Sequence, residues 1–321
     1  MGINTLEYAA VFMEGLDQQL VENSTTGWME DNAGQIQYNG GAEVKIPKMQ
    51  LSGLGNYDRD GGFAKGAVTV TYETMEMTQD RGRTFQLDAM DVDETNFAAM
   101  AGNVMGEFQR TKVIPEIDAY RYSKIAEMAE ENGKLTEYTP EKGGILEKLV
   151  EDITAVRDQA GDCAELVVAM NAKLAGKLDL EKGGENILQS GVFQQGTAEL
   201  KVREIDGCPI IRVPSVRFQT GYTFFDGVTE SEKDGGFAPA EGAREINWIV
   251  CLKRAPVAVS KTDVTRIFDP MTDQNANAWK IDYRKYHDLW IMDNGMEGIL
   301  VSVQPRADGA DGTRENGEQK A

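Results

Sequence analysis

Residues 72–95, "YETMEMTQDRGRTFQLDAMDVDET", read as a strand, a turn at Asp80-Arg81-Gly82, a second strand and the opening of a helix. The alternation of Val68, Val70 and Tyr72 that leads into the stretch changes phase to Met75 and Met77, which predicts a β-bulge near Glu73 and Thr74. After the turn, "RTFQLDAM" sets Phe85 and Leu87 on one face. Asp91 or Asp93 then caps a helix whose first turn carries Glu94, favourable at the positive end of the helix dipole. Phe97, Met100, Ala101, Val104, Met105 and Phe108 form one helical stripe. Pro115 predicts an end or a kink near Val113. A further helical stretch through Ile117, Tyr120, Ile125 and Met128 runs to about Glu131.

Upstream, "NGGAEVKIPKMQLSGLGNYDRDGGFAKGAVTVTY" describes an arm that goes out and returns. Its outgoing strand places Val44 and Ile46 on one face, and Pro47 suits an edge. The tip is rich in Gly and Asp, and the outward face reads as Thr, Glu and Lys. A two-stranded ribbon is marginal in water by itself, so this one has to lie on something else. Before it, Leu6, Ala9, Ala10, Met13, Leu16, Leu20 and Val21 fall at helical spacing. The polar "ENSTTGWMEDNAGQIQYNGG" reads as an extended arm around one aromatic anchor, Trp28.

Downstream, Gly144 to Ala160 is an amphipathic helix with Leu146, Leu149, Val150, Ile153 and Val156 inward. "AELVVAM" is a buried strand by its continuous apolar run, and Asn171 caps the helix after it. Strands follow at "ELKVREI", "CPIIRVP" and "INWIVCLKRAPVAVS". "AWKIDYRKYHDLWIMDNGMEGILVSV" reads as two strands joined by a tight turn at Asp293-Asn294-Gly295. The tail after Pro305 has no apolar residue larger than Ala and reads as disordered.

The 321 residues, 41% hydrophobic and 8% aromatic, describe a folded chain with a sizeable core. The net charge of −20 argues against tight phosphate gripping, which needs clustered Lys and Arg. It also keeps free subunits apart until specific contacts overcome repulsion. Cys163, Cys208 and Cys251 are sparse and odd in number, the pattern of reduced cytosolic thiols. Neither a signal peptide nor a myristoylation pattern is expected at the start, and no apolar run is long enough for a membrane span.

Catalytic and metal motifs fail one by one. His287, the only histidine, cannot build a multi-histidine metal site, has no G-x-S-x-G elbow beside it, and is read as structural or surface. Asn56, Asp58, Asp60, Gly61 and Phe63 follow calcium-loop spacing, but Ala67 stands where a bidentate Glu is required. Asp88, Asp91, Asp93 and Glu94 could be imagined as a magnesium site and are better explained by a helix cap and a solvated face. No phosphate-binding glycine loop is present. The expected set is therefore no catalytic residue, no cofactor site, no metal site and no enzyme activity.

The order of parts resembles the major capsid proteins of tailed bacteriophages with the HK97-type fold, of the α+β class. The likeness is most specific in "VTVTYETMEMTQDRGRTFQLDAMDVDETNFAAMAGNVMGEFQRTKVIPEIDAYRYSKIAE", residues 68–127, and architectural elsewhere. It looks like the descending strand of an extended loop (the E-loop) entering a long spine helix. The run from Thr111 to Arg121 is similar to the second half of that spine in phages of Gram-positive bacteria. The resemblance implies an N-terminal arm at 1–40, an extended loop at 41–82, spine helix and first peripheral part at 83–161, an axial domain at 162–253, a second peripheral part at 254–305 and a tail at 306–321. It implies a structural protein of the virion, made in the host cytoplasm and assembling with itself as pentamers and hexamers through the arm and loop. The further partners implied are a scaffolding protein, which if used would be a separate protein, and a portal, with packaged double-stranded DNA in loose contact only and no membrane. Lys65 and Asn275 or Asn277 match no cross-linking motif, so no covalent link is carried over. The rival readings are an encapsulin-type nanocompartment shell and a small oligomeric cytosolic α/β enzyme.

Overall fold

The computed structural model describes residues 24–35, 37–38, 43–57, 59, 62–63, 65–88, 104–161, 164–181, 189–195, 198–268, 270 and 277–306. The expected N-terminal helix, the tail beyond Arg306 and most of the first half of the long helix lie outside these residues. A 3-10 helix at Gly27–Gln35 precedes strands β1 (Gln37–Tyr38), β2 (Glu43–Leu51), β3 (Val68–Glu76) and β4 (Gln79–Asp88). Helix α1 (Ile114–Glu131), β5 (Leu135–Glu137), α2 (Ile145–Ala160), β6 (Leu166–Asn171) and α3 (Ala172–Glu181) come next. They are followed by β7 (Gln189–Gln195), β8 (Ala198–Ile205), β9 (Cys208–Val213), β10 (Tyr222–Phe224), β11 (Phe237–Pro239) and β12 (Ile246–Leu252). The chain closes with β13 (Pro256–Phe268), β14 (Ala278–Ile291), a single helical turn α4 (Asp293–Met296) and β15 (Ile299–Val303). These elements fall into two compact units. One holds Gly27–Glu107 and Val257–Trp290; the other holds the segment ending at Thr26, Phe108–Pro256 and the chain from Ile291 onward.

The first unit contains two three-stranded sheets, in the orders β1-β2-β3 and β13-β14-β4. Trp28 is the buried anchor that the sequence promised, but the segment around it is a 3-10 helix rather than an extended arm, and Met29 is buried beside it. Pro47 sits past the two β1–β2 pairs, where among the described residues β2 is paired only with β3, so its missing N–H breaks no bond to β1. The expected turn at Asp80-Arg81-Gly82 is absent. β4 runs straight through those residues because β14 offers ten consecutive antiparallel partners, from Ala278↔Asp88 to His287↔Gln79. Gly82 is used there for closeness, not for turning: a Cβ at this position would lie 2.7 Å from the Tyr283 carbonyl oxygen. The chain leaves the ribbon sheet at Met77 and Thr78 instead.

The second unit is built on a seven-stranded mixed sheet, β5-β15-β12-β6-β9-β8-β7. β6 lies at its centre, antiparallel to β12 and parallel to β9. All six β6 residues are buried, which explains a continuous apolar run where a half-exposed strand would alternate. Leu166, Val168 and Met170 face helices α2 and α3 together with Ile210, Trp248 and Val250, and Ile145, Leu149, Ile153 and Val156 close that core from α2. Val150, expected inward, is exposed, because the buried face of α2 runs through Asp152 instead. Asn171 caps α3 as expected, its Oδ1 accepting the Lys173 N–H at 3.0 Å.

Pro115 does not end the long helix. Residues Gln109–Val113 form a π-helical turn immediately before α1, with the Ile114 N–H bonded to the Gln109 carbonyl. A widened turn is a common accommodation where a proline withholds its N–H from the ladder. The stretch "INWIVCLKRAPVAVS" is two strands, not one, broken where the Ala255 N–H returns to the Leu252 carbonyl at 3.0 Å. The terminal pair is not a hairpin either. Asp293–Met296 makes a helical turn, and β14 and β15 belong to different sheets.

Candidate assembly surface

Strands β2 and β3 pair in one uninterrupted register from Glu43↔Glu76 to Leu51↔Val68. The predicted bulge is absent. The change of phase has another cause: the apolar residues serve opposite faces at the two ends of the ribbon. At the base, Val44 and Met75 oppose each other in register, with Val44 fully buried and Met75 partly so; Met77 just beyond is buried as well. Further out, Val68, Val70 and Tyr72 share the other face and are 67%, 49% and 56% exposed, in register with Leu51, Met49 and Pro47. Leu51 is likewise 67% exposed. The outward face is therefore an apolar stripe bordered by Thr and Glu, not the wholly polar surface its composition suggested.

The tip and the base are both secured. Ser52 pins the return strand, donating its N–H to the Ala67 carbonyl at 3.1 Å while its Oγ accepts the Ala67 N–H at 2.9 Å. Beyond the pin, Leu54, Tyr57 and Phe63 are exposed, and the two aromatic rings pack with centroids 5.0 Å apart. At the base, Asp288 of β14 is buried and its Oδ2 accepts from the Thr78 N–H at 2.8 Å and the Thr78 hydroxyl at 3.0 Å. Lys285, three residues before Asp288 in β14, is buried between Asp263 at 2.7 Å and Glu30 at 3.8 Å. Arg284 points outward and makes a two-bonded pair with Asp80, whose carboxyl this hydrogen bonding holds below the usual carboxylate range.

A polar cradle in the second unit was not anticipated. Asp118, Arg121 and Tyr122 occupy positions i, i+3 and i+4 of α1, hence one helical face, and all three are buried. Asp118 Oδ1 accepts the hydroxyls of Ser24 at 2.9 Å and Thr26 at 2.6 Å. Its Oδ2 accepts the Thr25 N–H at 3.2 Å, the Thr25 hydroxyl at 3.0 Å and Arg217 at 3.1 Å. Arg121 donates to the Thr26 carbonyl at 3.2 Å, and the Tyr122 hydroxyl lies 3.2 Å from the Thr25 carbonyl. Burial and the neighbouring Asp118 charge push the Tyr122 hydroxyl well above the usual tyrosine range. The available signal was three successive hydroxyl residues before a glycine, together with an acidic residue on the buried face of a helix.

The other sequence candidates are scattered. His287 is buried in β14, opposite Gln79. Of the calcium-like loop, Asp58, Asp60 and Gly61 lie outside the described residues, and Phe63 is exposed. Asp88 closes β4, whereas Asp91, Asp93 and Glu94 lie outside the described residues. Lys65 and Asn277 are exposed, in the first unit; Asn275 and Cys163 are not described. Cys208 and Cys251 are buried free thiols, and burial pushes Cys251 up to about 12. Among the described residues no group of three His, Cys, Asp or Glu side chains is placed to hold a metal ion.

No protein-family model matches the sequence, and no curated protein matches it. Solved structures do. The capsid structure of cyanophage P-SCSP1u aligns with 84% of this chain and 86% of its own at a TM-score of 0.51 and 10% identity. A structure from Gordonia phage Cozz aligns with 82% of this chain and 81% of its own at 0.50 and 14% identity. A chain from the structure of the head fiber and inner core protein gp22 of native bacteriophage P68 aligns with 84% and 82% at 0.51 and 10% identity. The likeness, over more than four-fifths of each of these chains, gives this protein, with its two-stranded ribbon, long helix and mixed seven-stranded sheet, the α+β, HK97-type capsid fold.

Proposed function

We propose that this chain is a major capsid protein that assembles with copies of itself, as pentamers and hexamers, into an icosahedral head around double-stranded phage DNA. The observation that carries the reading is the ribbon. A single chain gains nothing by holding Leu51, Val68, Val70 and Tyr72 in water on a regular β-ladder, whereas a second copy laid against that face would bury them. Such contacts repeated around a ring are heterologous and close by rotation, and many modest contacts add through avidity. On this reading residues 41–82 are the extended loop, 83–161 the spine and first peripheral part, 162–253 the axial domain and 254–305 the second peripheral part. The chain works without catalysis, in the phage head. A scaffolding protein and a portal are its other partners on this reading, and the net charge of −20 leaves DNA in loose contact only.

Electron microscopy with sedimentation velocity on the chain expressed with its scaffold tests this directly. Closed shells or pentameric and hexameric rings are expected. A uniform small dimer or tetramer would sink the reading, and shells filled with a cargo enzyme in place of DNA would move it to a nanocompartment.

A further inference from the structure

Ser24, Thr25 and Thr26 direct all three of their hydroxyls at one carboxylate that water does not reach. Burying a carboxylate is costly unless it is fully hydrogen-bonded, and well-packed apolar side chains could hold a strand on a helix as firmly. What the polar arrangement adds is discrimination. A segment slid by one residue so that Gly27 takes a place now held by a hydroxyl has nothing to donate there, and the opposite slide puts the longer Asn23 side chain where a short hydroxyl fits. The buried carboxylate would then be left short of partners, the expensive outcome. Arg217, carried by the 3-10 turn Ser215–Arg217 after β9, contributes one further bond, so the cradle is complete only when that turn is also in place.

We propose that Asp118 is a positioning residue for shell assembly: its carboxylate fixes the register in which Ser24, Thr25 and Thr26 lie on α1, a register that every copy of the chain has to share for identical subunits to fit together. This rests on the capsid reading above. The hydrophobic core of α1 holds the helix on the sheet through Ile117, Ile125 and Ala129, and those side chains take no part in the cradle. Loss of the clamp should therefore release the segment without unfolding the unit.

The test uses the full chain with Asp118→Asn, which keeps the shape and one acceptor but loses the charge. A second variant, Ser24→Ala with Thr26→Val, removes two donors and leaves Asp118 its bonds from Thr25 and Arg217. Hydrogen exchange is read on the free subunit, and shell yield by sedimentation velocity. The Thr25 amide, which donates to Asp118 Oδ2, should exchange about tenfold faster or more. Protection in α1 and β6 should be kept, and shell yield should fall about tenfold or more. Unchanged exchange at Thr25 in both variants overturns the register claim. A released Thr25 with wild-type shell yield overturns the assembly role alone, whereas a wild-type chain that forms no shells overturns the capsid reading itself. Should Asp118→Asn fail to fold, the double variant carries the same comparison.

Discussion

Val70→Asp separates folding of the ribbon from its proposed docking on a second copy. Val70 lies in the middle of the outward stripe, flanked on its face by Val68 and Tyr72, and about half of its side chain is in water in the single chain. Burying a whole Val side chain contributes about 1.5–3 kcal/mol, so covering its exposed half contributes roughly 1 kcal/mol. The stripe of Leu51, Val68, Val70 and Tyr72 together would contribute about 4–6 kcal/mol per ribbon on the same scale. An aspartate in place of Val70 removes its share and adds the cost of drying a carboxylate with no partner, which is several kcal/mol more. The ribbon contact should weaken by a factor of at least about a hundred. The free subunit should not notice, because substitutions at exposed positions stay within about 0.5 kcal/mol. Sedimentation velocity across a range of subunit concentrations reads the first effect, and urea unfolding of the monomer the second. Wild-type assembly by Val70→Asp would refute the docking argument. A large loss of monomer stability would refute it differently, by showing that the stripe is already covered within one chain.

Three further outcomes are expected. Gly82→Val should destabilise the first unit by about 2 kcal/mol or more in thermal unfolding, because its Cβ would press on the Tyr283 carbonyl and both strands would have to part; an unchanged melting temperature would count against the tight β4–β14 approach. Cys251, whose burial pushes the thiol up to about 12, should resist iodoacetamide at pH 8 until the chain is unfolded; rapid labelling of its peptide in the native protein would contradict the packing. Asp152 is raised above its ordinary 3.8 by burial, more than the Trp248 and Lys148 bonds lower it. Relative to the unfolded chain the fold favours the protonated form, and this contribution is present below 3.8 and lost as pH rises through the higher folded value. Asp152→Asn should gain on the wild type in urea midpoint as pH rises from 3.8 towards neutral, and a constant difference would refute the assignment.

Much of the fold was legible where one physical signal dominated. Helix α1 and the β6 strand were readable because a long amphipathic stripe and an unbroken apolar run each have few competing explanations. Asp80-Arg81-Gly82 misled because glycine suits both a turn and a close strand approach, and only the partner strand, some two hundred residues away, decides between them. Asp293-Asn294-Gly295 misled in the same way: strong local turn chemistry closes a helical turn when the flanking strands are claimed by different sheets. The phase change from Tyr72 to Met75 was real as a pattern, but a sequence cannot tell a shifted register from a ribbon whose two ends hide opposite faces. The Asp118 cradle was hidden because its halves are separated by ninety residues and each half looks ordinary by itself.

The straightness of the β2–β3 ladder has a mechanical corollary. Nine paired residues at about 3.4 Å each make a strut roughly 30 Å long, and without a bulge it has no built-in elbow. On the return strand a change in its heading falls at Met77 and Thr78, where the Thr78 bonds to Asp288 hold the base. Small rotations there become large displacements at the Leu54, Tyr57 and Phe63 end: about 5 Å of travel for every 10° of swing over such a length. If the chain forms a shell as proposed, differences in curvature would be absorbed at the base of the ribbon while the strut itself stays the same.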